Sequence, residues 1–320
     1  MNFYIVTPSY NCARYIDETI LSVVSQSGGF SIHYHIQDGG STDGTLEKLK
    51  AWEERLHAPS PWVFCKELTF TWDSSPDNGM YDAINKGFER LAPPEDGIMA
   101  WVNTDDTYFP HVFSTVAKAF ADVPDMEWFG GTIVGLHKTG PMEFYQDYNQ
   151  PYPMELIRGY CCGSEHWRVL QQNGMFWKGV LWKKAGVLNS TLRYAGDFEL
   201  WPRFARYADF LHFPVVVGTH RFRDGQLSQN TMYKTEMEQV CSVAMREAAA
   251  RVFWKNQKWP PMAPALRLDK NKNFFRCQQE TFPTPHKHES WWKRALLFVL
   301  SPKAIIVIKR WRQHVCFVKK

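Results

Sequence analysis

Strand and helix patterns alternate along the first 125 residues, and this alternation limits the possible folds more than any other feature of the sequence. Residues 3–7 and 98–102 are apolar runs typical of buried strands, and residues 32–37 are predicted as a further strand. Amphipathic helical patterns accompany them at residues 14–25, 45–56, 81–91 and 111–121. Repeated strand–helix units predict an α/β fold with a doubly wound, mainly parallel sheet.

The pattern changes beyond residue 125. Residues 126–230 mix short strands with helices and contain a strand at 212–217, which we interpret as the second half of the domain begun by residues 1–125. Within residues 231–290, a long helix is predicted from Met232 to about Lys255, and the prolines that follow it indicate a linker. Residues 291–320 form a separate basic tail, which we predict to be helical.

Three polar loops follow the apolar strands of the first half. They are Thr-Pro-Ser-Tyr-Asn at residues 7–11, a loop at 37–45 that begins Gln-Asp-Gly-Gly, and Asn-Thr-Asp-Asp at 103–106. In a doubly wound sheet, ligands bind at the carboxyl ends of the strands, where such loops converge. We therefore expect a ligand site along this edge.

The residue types in these segments are suited to a nucleotide and a cation. Asp38 follows a strand and can accept hydrogen bonds from a ribose or a base, although a glycine-rich turn that caps the next helix would look the same. Adjacent Asp105 and Asp106 suit Mg²⁺ or Mn²⁺ bound together with phosphates, or form a solvated capping pair. Asp82 and Lys86 are one helical turn apart and can face a single ligand.

Together these segments resemble the family 2 glycosyltransferases, which have the Rossmann-like GT-A fold for nucleotide-diphosphosugars. The resemblance rests on TPSYN from Thr7, QDGGSTDGT from Gln37, DNGMYDAINKG from Asp77 and NTDD from Asn103, in the order of the family. It continues through YAGDFELW from Tyr194 and ends at RFRDGQLS from Arg221, so that about 230 residues are covered.

The resemblance implies roles for particular residues on the donor side. Thr7 and Asp38 would hold the nucleoside, and the nucleotide-sugar pocket would also include the residues Asp77, Asp82, Lys86, Asn103, Asp105 and Asp106. Asp105 matches the last carboxylate of the family's D-x-D metal motif and would ligate Mg²⁺ or Mn²⁺. Asn103 stands where the first Asp of that motif often is, so that one anionic contact is replaced by a neutral one.

The resemblance also implies the groups that act in transfer. Asp197 matches the catalytic base, and Glu199 is a competing candidate for that role. Arg221 and Arg223 are candidates to bind the diphosphate, or are ordinary surface cations. In many relatives a histidine occupies the position of Arg223 and touches the metal or the diphosphate, whereas arginine cannot ligate a metal.

Aromatic residues are frequent between Asp106 and Asp197. The segment that contains Trp128, Glu165, His166, Trp167 and Trp177 is expected to shape an acceptor site, because aromatic faces suit sugar rings. The same tryptophans equally suit a buried core, so both interpretations stay open at this point.

The net charge of +4 divides unevenly along the chain. Residues 291–320 carry eight basic and no acidic side chains, which leaves 29 basic and 33 acidic residues, a formal charge of −4, in the first 290. Trp291, Trp292 and the apolar runs near them make this tail resemble an amphipathic anchor for an anionic membrane; an RNA-binding tail or a helix packed on the body are the alternatives. The acidic body does not favour a nucleic-acid partner.

These observations predict a metal-dependent inverting glycosyltransferase of cell-surface polysaccharide synthesis. Its partners would be a nucleotide diphosphate sugar and a lipid-linked glycan acceptor. The chain opens on an apolar strand rather than a signal peptide, so we expect a cytoplasmic protein at the inner face of the membrane. The alternatives are an inactive nucleotide-sugar-binding or scaffold protein and, less well matched by its N-terminal loop, a nucleotidyltransferase.

Overall fold

The computed structural model describes residues 1–57, 61–137, 151–164, 166–223, 226, 231–257 and 260–281, together with the backbone of 143–144. All of them belong to one compact unit that extends from Met1 to Phe282. The basic tail at 291–320 and Glu165, one of the predicted acceptor residues, lie outside the described residues.

The first half consists of strand–helix units, as the sequence predicts. Its elements are β1 (Asn2–Ser9), α1 (Ile16–Val24), β2 (Gly28–Asp38), α2 (Thr45–His57), β3 (Cys65–Ser74), α3 (Met80–Leu91), β4 (Ile98–Trp101), β5 (Thr107–Tyr108) and α4 (Val112–Asp122). Strands β4, β1, β2 and β3 lie side by side in that order and are all parallel. This arrangement confirms the predicted Rossmann-like half.

The second half extends the same sheet with mixed pairing. Its elements are β6 (Trp128–Leu136), β7 (Glu143–Phe144), α5 (Met154–Arg158), β8 (Met175–Lys178), α6 (Gly179–Ala185), α7 (Gly196–Phe204), β9 (Phe210–Arg221), α8 (Met232–Val240), α9 (Val243–Asn256), β10 (Met262–Leu268) and β11 (Phe274–Glu280). Strand β8 is antiparallel to both β4 and β6, and β9 is parallel to β6. The whole sheet is therefore mixed, and its uniformly parallel part consists of β4, β1, β2 and β3, since β5 is antiparallel to β9.

Helices α3 and α4 cover opposite faces of the sheet. Phe3 of β1 stacks on Phe113 of α4, with ring centroids 4.6 Å apart. Val6 is three positions further along β1, and because successive side chains of a strand alternate between its two faces, Val6 points to the other face. There a Cβ on Gly87 of α3 would lie 2.6 Å from a methyl group of Val6, so α3 can pack this closely only with glycine at that position.

Three parts of the chain differ from the sequence predictions. Strand β3 was not predicted, although Leu68, Phe70 and Trp72 alternate with polar residues as in a half-buried strand. The helix expected over 232–255 is two helices, since Cys241 is extended and the Ser242 side chain accepts a hydrogen bond from the Met245 N–H as the N-cap of α9. Within the predicted proline linker, β10 and β11 form an antiparallel hairpin, and β10 pairs with β9.

The tryptophans predicted either to shape an acceptor site or to fill the core belong to the core. Trp128 and Trp177 are fully buried, and Trp167 is almost so. Trp101 of β4 stacks on Trp201 of α7 with their rings 5.6 Å apart, and Trp177 packs edge-on against Trp101. This aromatic cluster joins the first half of the sheet to the helix that begins at Gly196.

Candidate active site

The loops after β1 and β2 lie together at the carboxyl edge of the sheet. Ser9 and Asp38 are paired at the ends of these strands, and the Gly39 N–H donates to the Ser9 carbonyl over 2.8 Å. The Asp38 carboxylate is completely buried and accepts hydrogen bonds from the Gly40 and Ser41 N–H groups and from the hydroxyls of Ser41 and Ser74. Asp38 therefore fixes the shape of the glycine loop, as expected if it forms a turn.

Thr7, which we predicted to contact the nucleoside, is placed beneath this edge rather than on it. It has no exposed surface, and its hydroxyl is 2.9 Å from the Tyr34 hydroxyl inside the sheet. The side chain thus supports the strand below the predicted pocket.

Tyr10 and Asp77 converge on the glycine loop. A Cβ on Gly39 would lie 2.8 Å from the Asp77 carboxylate and 3.3 Å from the Tyr10 ring, so only glycine leaves room for both. Tyr10 is 63% exposed, which is unusual for an aromatic side chain and leaves a ring face open beside the loop. Burial raises the pKa of Asp77 above its ordinary value. Tyr10 was not among the predicted site residues, although its position in the first polar loop could have indicated it.

The start of α3 carries the remaining donor-side residues. The Asp82 carboxylate accepts from the Asn78 N–H over 3.0 Å and forms an ion pair of 3.0 Å with Lys86. The Asn78 hydrogen bond, and then Lys86, lower the pKa of Asp82. Lys86 is 38% exposed and remains accessible to an anion. The structure thus places Asp77, Asp82 and Lys86 in one segment next to the glycine loop.

The turn at residues 103–106 is held from below by α1. The Thr19 hydroxyl donates to the carbonyl oxygens of Thr104 and Asp106 at 3.0 and 2.8 Å. Asp106, predicted to bind the nucleotide sugar, is fully buried and accepts the Arg221 N–H over 2.9 Å. Burial raises the pKa of Asp106. The carboxylate therefore belongs to the scaffold of the turn.

Both arginines from the end of β9 contact this turn, so the interpretation of ordinary surface cations is wrong. Arg223 donates from Nε to the carboxylate of Asp105. Arg221 donates from Nε to the Asp105 carbonyl over 3.0 Å, and its Nη2 is paired with Glu18. The turn and the arginines are more than 110 residues apart in the chain, and the fold brings them together.

These side chains do not fit the divalent cation predicted at Asp105. The Asp105 carboxylate is already paired with a guanidinium, and Asn103 contributes a neutral oxygen that is buried and accepts no hydrogen bond from the described residues. Within the described ranges, no group of three or more His, Cys, Asp or Glu side chains is arranged for a metal ion. A cation at Asp105 would have to share the carboxylate with the Arg223 guanidinium, whose positive charge repels it.

Asp197 lies in the first turn of α7, in an enclosed and mostly apolar environment. Burial raises its pKa from 3.8 to about 6, and a hydrogen bond from the Tyr81 hydroxyl to Oδ1, 3.4 Å long, partly opposes this rise. A cavity next to it is lined by Tyr160, Phe198 and Tyr233 among other residues. A carboxyl group with a pKa near 6 is ionised at neutral pH and basic enough to take a proton.

Glu199, the competing candidate for the base, is engaged elsewhere. Both of its carboxylate oxygens accept hydrogen bonds from Arg203, over 2.8 and 2.7 Å. Arg203 in turn donates to the carbonyl oxygens of residues 185–187. This pair is a structural clamp, which leaves Asp197 as the carboxylate suited to proton transfer.

The segment before Asp197 is held by Glu236, a residue that sequence reasoning did not single out. The buried Glu236 carboxylate of α8 accepts hydrogen bonds from three consecutive N–H groups, those of Arg193, Tyr194 and Ala195, over 2.7–2.9 Å. No motif marked it, because a glutamate within a polar helix pattern looks like a surface residue.

Helix α3 connects the donor-side residues to Asp197. Its Tyr81 donates to the Tyr194 carbonyl over 2.9 Å, and a Cβ on Gly196 would lie 2.7 Å from the Tyr81 ring. Its Asn85 exchanges two hydrogen bonds with the backbone of Leu188, at 2.8 and 3.1 Å. One helix therefore carries Asp82 and Lys86 toward the glycine loop and Tyr81 toward Asp197.

Comparison with solved structures supports the fold. The domain of S. aureus TarS comprising residues 1–349, solved in complex with UDP-GlcNAc, superposes with a TM-score of 0.57 at 16% identity, covering 79% of this chain and 72% of that one. Full-length TarS gives a TM-score of 0.52, and the match covers 69% of this chain but 37% of the TarS chain. At this identity, the likeness shows a shared GT-A fold.

Sequence comparisons find bacterial relatives. An uncharacterized glycosyltransferase of Rickettsia typhi is 23% identical over 236 residues, which are 72% of this chain and 67% of the relative. The putative teichuronic acid biosynthesis glycosyltransferase TuaG of Bacillus subtilis is 33% identical over 111 residues, 32% of this chain and 36% of TuaG. The model of glycosyl transferase family 2 matches residues 4–176, more than half of the chain. The chain belongs to glycosyl transferase family 2.

Proposed function

We propose that this glycosyltransferase moves a sugar, with inversion, from a nucleotide diphosphate sugar to a hydroxyl group of a lipid-linked glycan in cell-surface polysaccharide synthesis. The observation that carries the proposal is the position of Asp197, whose carboxyl group accepts a hydrogen bond from Tyr81. Tyr81 belongs to α3, the helix that also contains Asp82 and Lys86. A base and a donor pocket on either side of one helix are the two parts that a direct transfer needs.

The chemistry of the donor side supports a nucleotide sugar as the ligand. The open ring face of Tyr10 can stack on a base, and the Asp77 carboxylate beside Gly39 can accept hydrogen bonds from a base or a ribose. Lys86 and Arg223 supply positive charge for the diphosphate. The polysaccharide context is supported by TuaG, whose name refers to teichuronic acid biosynthesis.

The reaction needs a proton acceptor on the side of the sugar opposite the leaving group. Asp197 takes the proton from the acceptor hydroxyl as its oxygen attacks the anomeric carbon. The bond between that carbon and the diphosphate oxygen breaks, and the electron pair leaves with the nucleoside diphosphate. Cationic side chains beside Asp105 stabilise the charge that develops there.

A panel of UDP-, GDP-, dTDP- and ADP-linked sugars tests the proposal with the full chain, with and without Mn²⁺. A true donor at a hundredfold excess over its Kd stabilises the folded state by about 2.7 kcal/mol and raises the melting temperature by several degrees. Release of the nucleoside diphosphate from that donor then separates a transferase from an inactive sugar-binding scaffold. If no nucleotide sugar changes the melting temperature, the proposed function is wrong.

We also propose that residues 291–320 hold the protein at the inner face of an anionic membrane. None of the helices in the described part of the chain combines the length and apolar character that a bilayer crossing requires. The proposal therefore rests on the sequence of the tail, with its eight cations beside tryptophan and aliphatic residues.

Deletion of residues 291–320 is expected to release the protein from anionic vesicles. Each cation near such a surface contributes about 1 kcal/mol, so the loss of eight removes most of the attraction. Co-sedimentation with phosphatidylglycerol vesicles measures it, and neutral phosphatidylcholine vesicles are the control. Equal sedimentation of the full and shortened chains would contradict the anchor.

A further inference from the structure

The turn at residues 103–106 presents one carboxylate toward its arginine neighbours. Asp106 is directed inward to the Arg221 N–H, and His220 Nδ1 is 3.8 Å from its other oxygen. Asn103 carries no charge. Asp105 is therefore the anionic group of this turn that a cation could reach, and its side chain is 9% exposed.

That position is taken by an arginine of the same chain. The Arg223 Nε donates to the Asp105 carboxylate. A guanidinium does not lose its proton in a protein, so Arg223 brings a permanent positive charge to this position. A divalent cation at Asp105 would have to share this carboxylate with the guanidinium and stand beside its positive charge.

The guanidinium retains capacity for a second ligand. The Arg223 side chain is 32% exposed, and its two terminal nitrogens form no hydrogen bond with the described residues. A planar guanidinium with two free N–H-bearing nitrogens matches two oxygens of a phosphate group. Arg221, by contrast, is bonded to Glu18 and to the Asp105 carbonyl oxygen.

We propose that Arg223, oriented by Asp105, is the cation that binds the diphosphate of the donor, and that this chain binds and uses its donor without a divalent metal ion. The proposal rests on the proposed function, because it concerns the same donor site. When the bond to the anomeric carbon breaks, the electron pair moves to the diphosphate oxygen and Arg223 stabilises that charge. The acceptor oxygen forms the new bond, and its proton goes to Asp197.

Isothermal titration of UDP, GDP, dTDP and ADP into the full chain tests the proposal, first in EDTA and then in Mn²⁺. We expect one of the four nucleoside diphosphates to bind in EDTA with the affinity that it has in Mn²⁺. Binding that appears only with Mn²⁺ would overturn this proposal and leave the proposed function intact. Absence of binding in both conditions would overturn both.

Variants of Arg223 identify the group responsible. Arg223→Met is expected to weaken binding in EDTA about 10- to 100-fold, the effect of losing a charge-assisted contact, and Arg223→Lys, which keeps the charge, to weaken it less. Arg223→His supplies a metal ligand and is expected to make binding depend on Mn²⁺.

Because Arg223→Met leaves Asp105 unpaired, Asp105→Asn/Arg223→Met removes both charges and keeps the test valid if the single variant fails to fold. Unchanged binding in this double variant, with a native circular dichroism spectrum, would show that Arg223 does not hold the diphosphate.

Discussion

Asp197→Asn is expected to lower the transfer rate by about 10²- to 10⁴-fold, the usual contribution of a general base, while the affinity for the nucleotide sugar stays nearly unchanged. The amide has almost the shape of the carboxyl group and can still accept the hydrogen bond from Tyr81, but it cannot take a proton. Rates of nucleoside diphosphate release and titration of the donor measure the two effects separately.

The pH dependence of the wild-type chain belongs to the same prediction. Because burial raises the pKa of Asp197 to about 6, the carboxylate becomes protonated as the pH falls through 6. The base is then lost, and kcat/KM declines on the acid side. An ordinary aspartate, with a pKa near 4, would keep its activity about two pH units lower.

Asp96→Asn is the matched control, since Asp96 is exposed and lies two residues before β4, at the opposite edge of the sheet. It is expected to keep both the rate and the pH profile. If Asp197→Asn retained the wild-type rate with an acceptor present, Asp197 would not be the base.

Glu236→Gln is expected to reduce kcat by tenfold or more, with a smaller effect on the KM of the donor. The carboxylate accepts three consecutive backbone N–H groups directly before Gly196 and Asp197. Glutamine presents an N–H₂ group to one of these donors, so at least one buried hydrogen bond is lost at about 1–3 kcal/mol. The base then loses its fixed position, and a small misplacement of a catalytic group can cost about 10²-fold.

The acid-side pH profile of kcat distinguishes a positioning role from a general loss of stability. A displaced Asp197 shifts this profile, whereas a smaller folded fraction lowers the apparent kcat and leaves the KM and the pH profile unchanged. Glu247→Gln is the control on the next helix, because Glu247 is partly exposed and paired only with Arg251 among the described residues. A Glu236→Gln protein with wild-type kcat would show that this clamp does not position the base.

The sequence predicted the parallel half of the fold because its strands are continuous apolar runs between amphipathic helices. Strand β3 was missed although the alternation of Leu68, Phe70 and Trp72 with polar residues indicates a strand with one buried face. The hairpin of β10 and β11 was not predicted because Pro264 suggests a linker. A proline is nevertheless tolerated in a strand where few backbone hydrogen bonds to the neighbouring strands are required. Helix α8 appeared continuous with α9, since the apolar spacing continues past the Ser242 cap.

The candidate site was predictable as a set of residues but not as a set of contacts. Loop motifs selected Asp77, Asp82, Lys86 and Asp105, which the structure places along one edge. They did not show that Thr7, Asp38 and Asp106 support the loops from within. Tyr81 and Asp197 are 116 residues apart, and no local pattern predicts a pair at that separation.

The pairing of Arg223 with Asp105 changed the expected chemistry most. From the sequence, a carboxylate in a D-x-D-like position implied a metal ligand. The fold brings a cation of the chain itself to that carboxylate across 118 residues. The charge balance of a site depends on such long-range pairs, which composition and spacing do not record.

A crystal structure of the full chain with its nucleotide sugar would show whether the donor lies between the glycine loop and Asp197. We expect the nucleobase against Tyr10, Gly39 and Asp77, the diphosphate beside Arg223, and the anomeric carbon on the side of the pocket that faces Asp197. A nucleotide sugar bound away from this edge of the sheet, or one whose anomeric carbon points away from Asp197, would contradict this expectation.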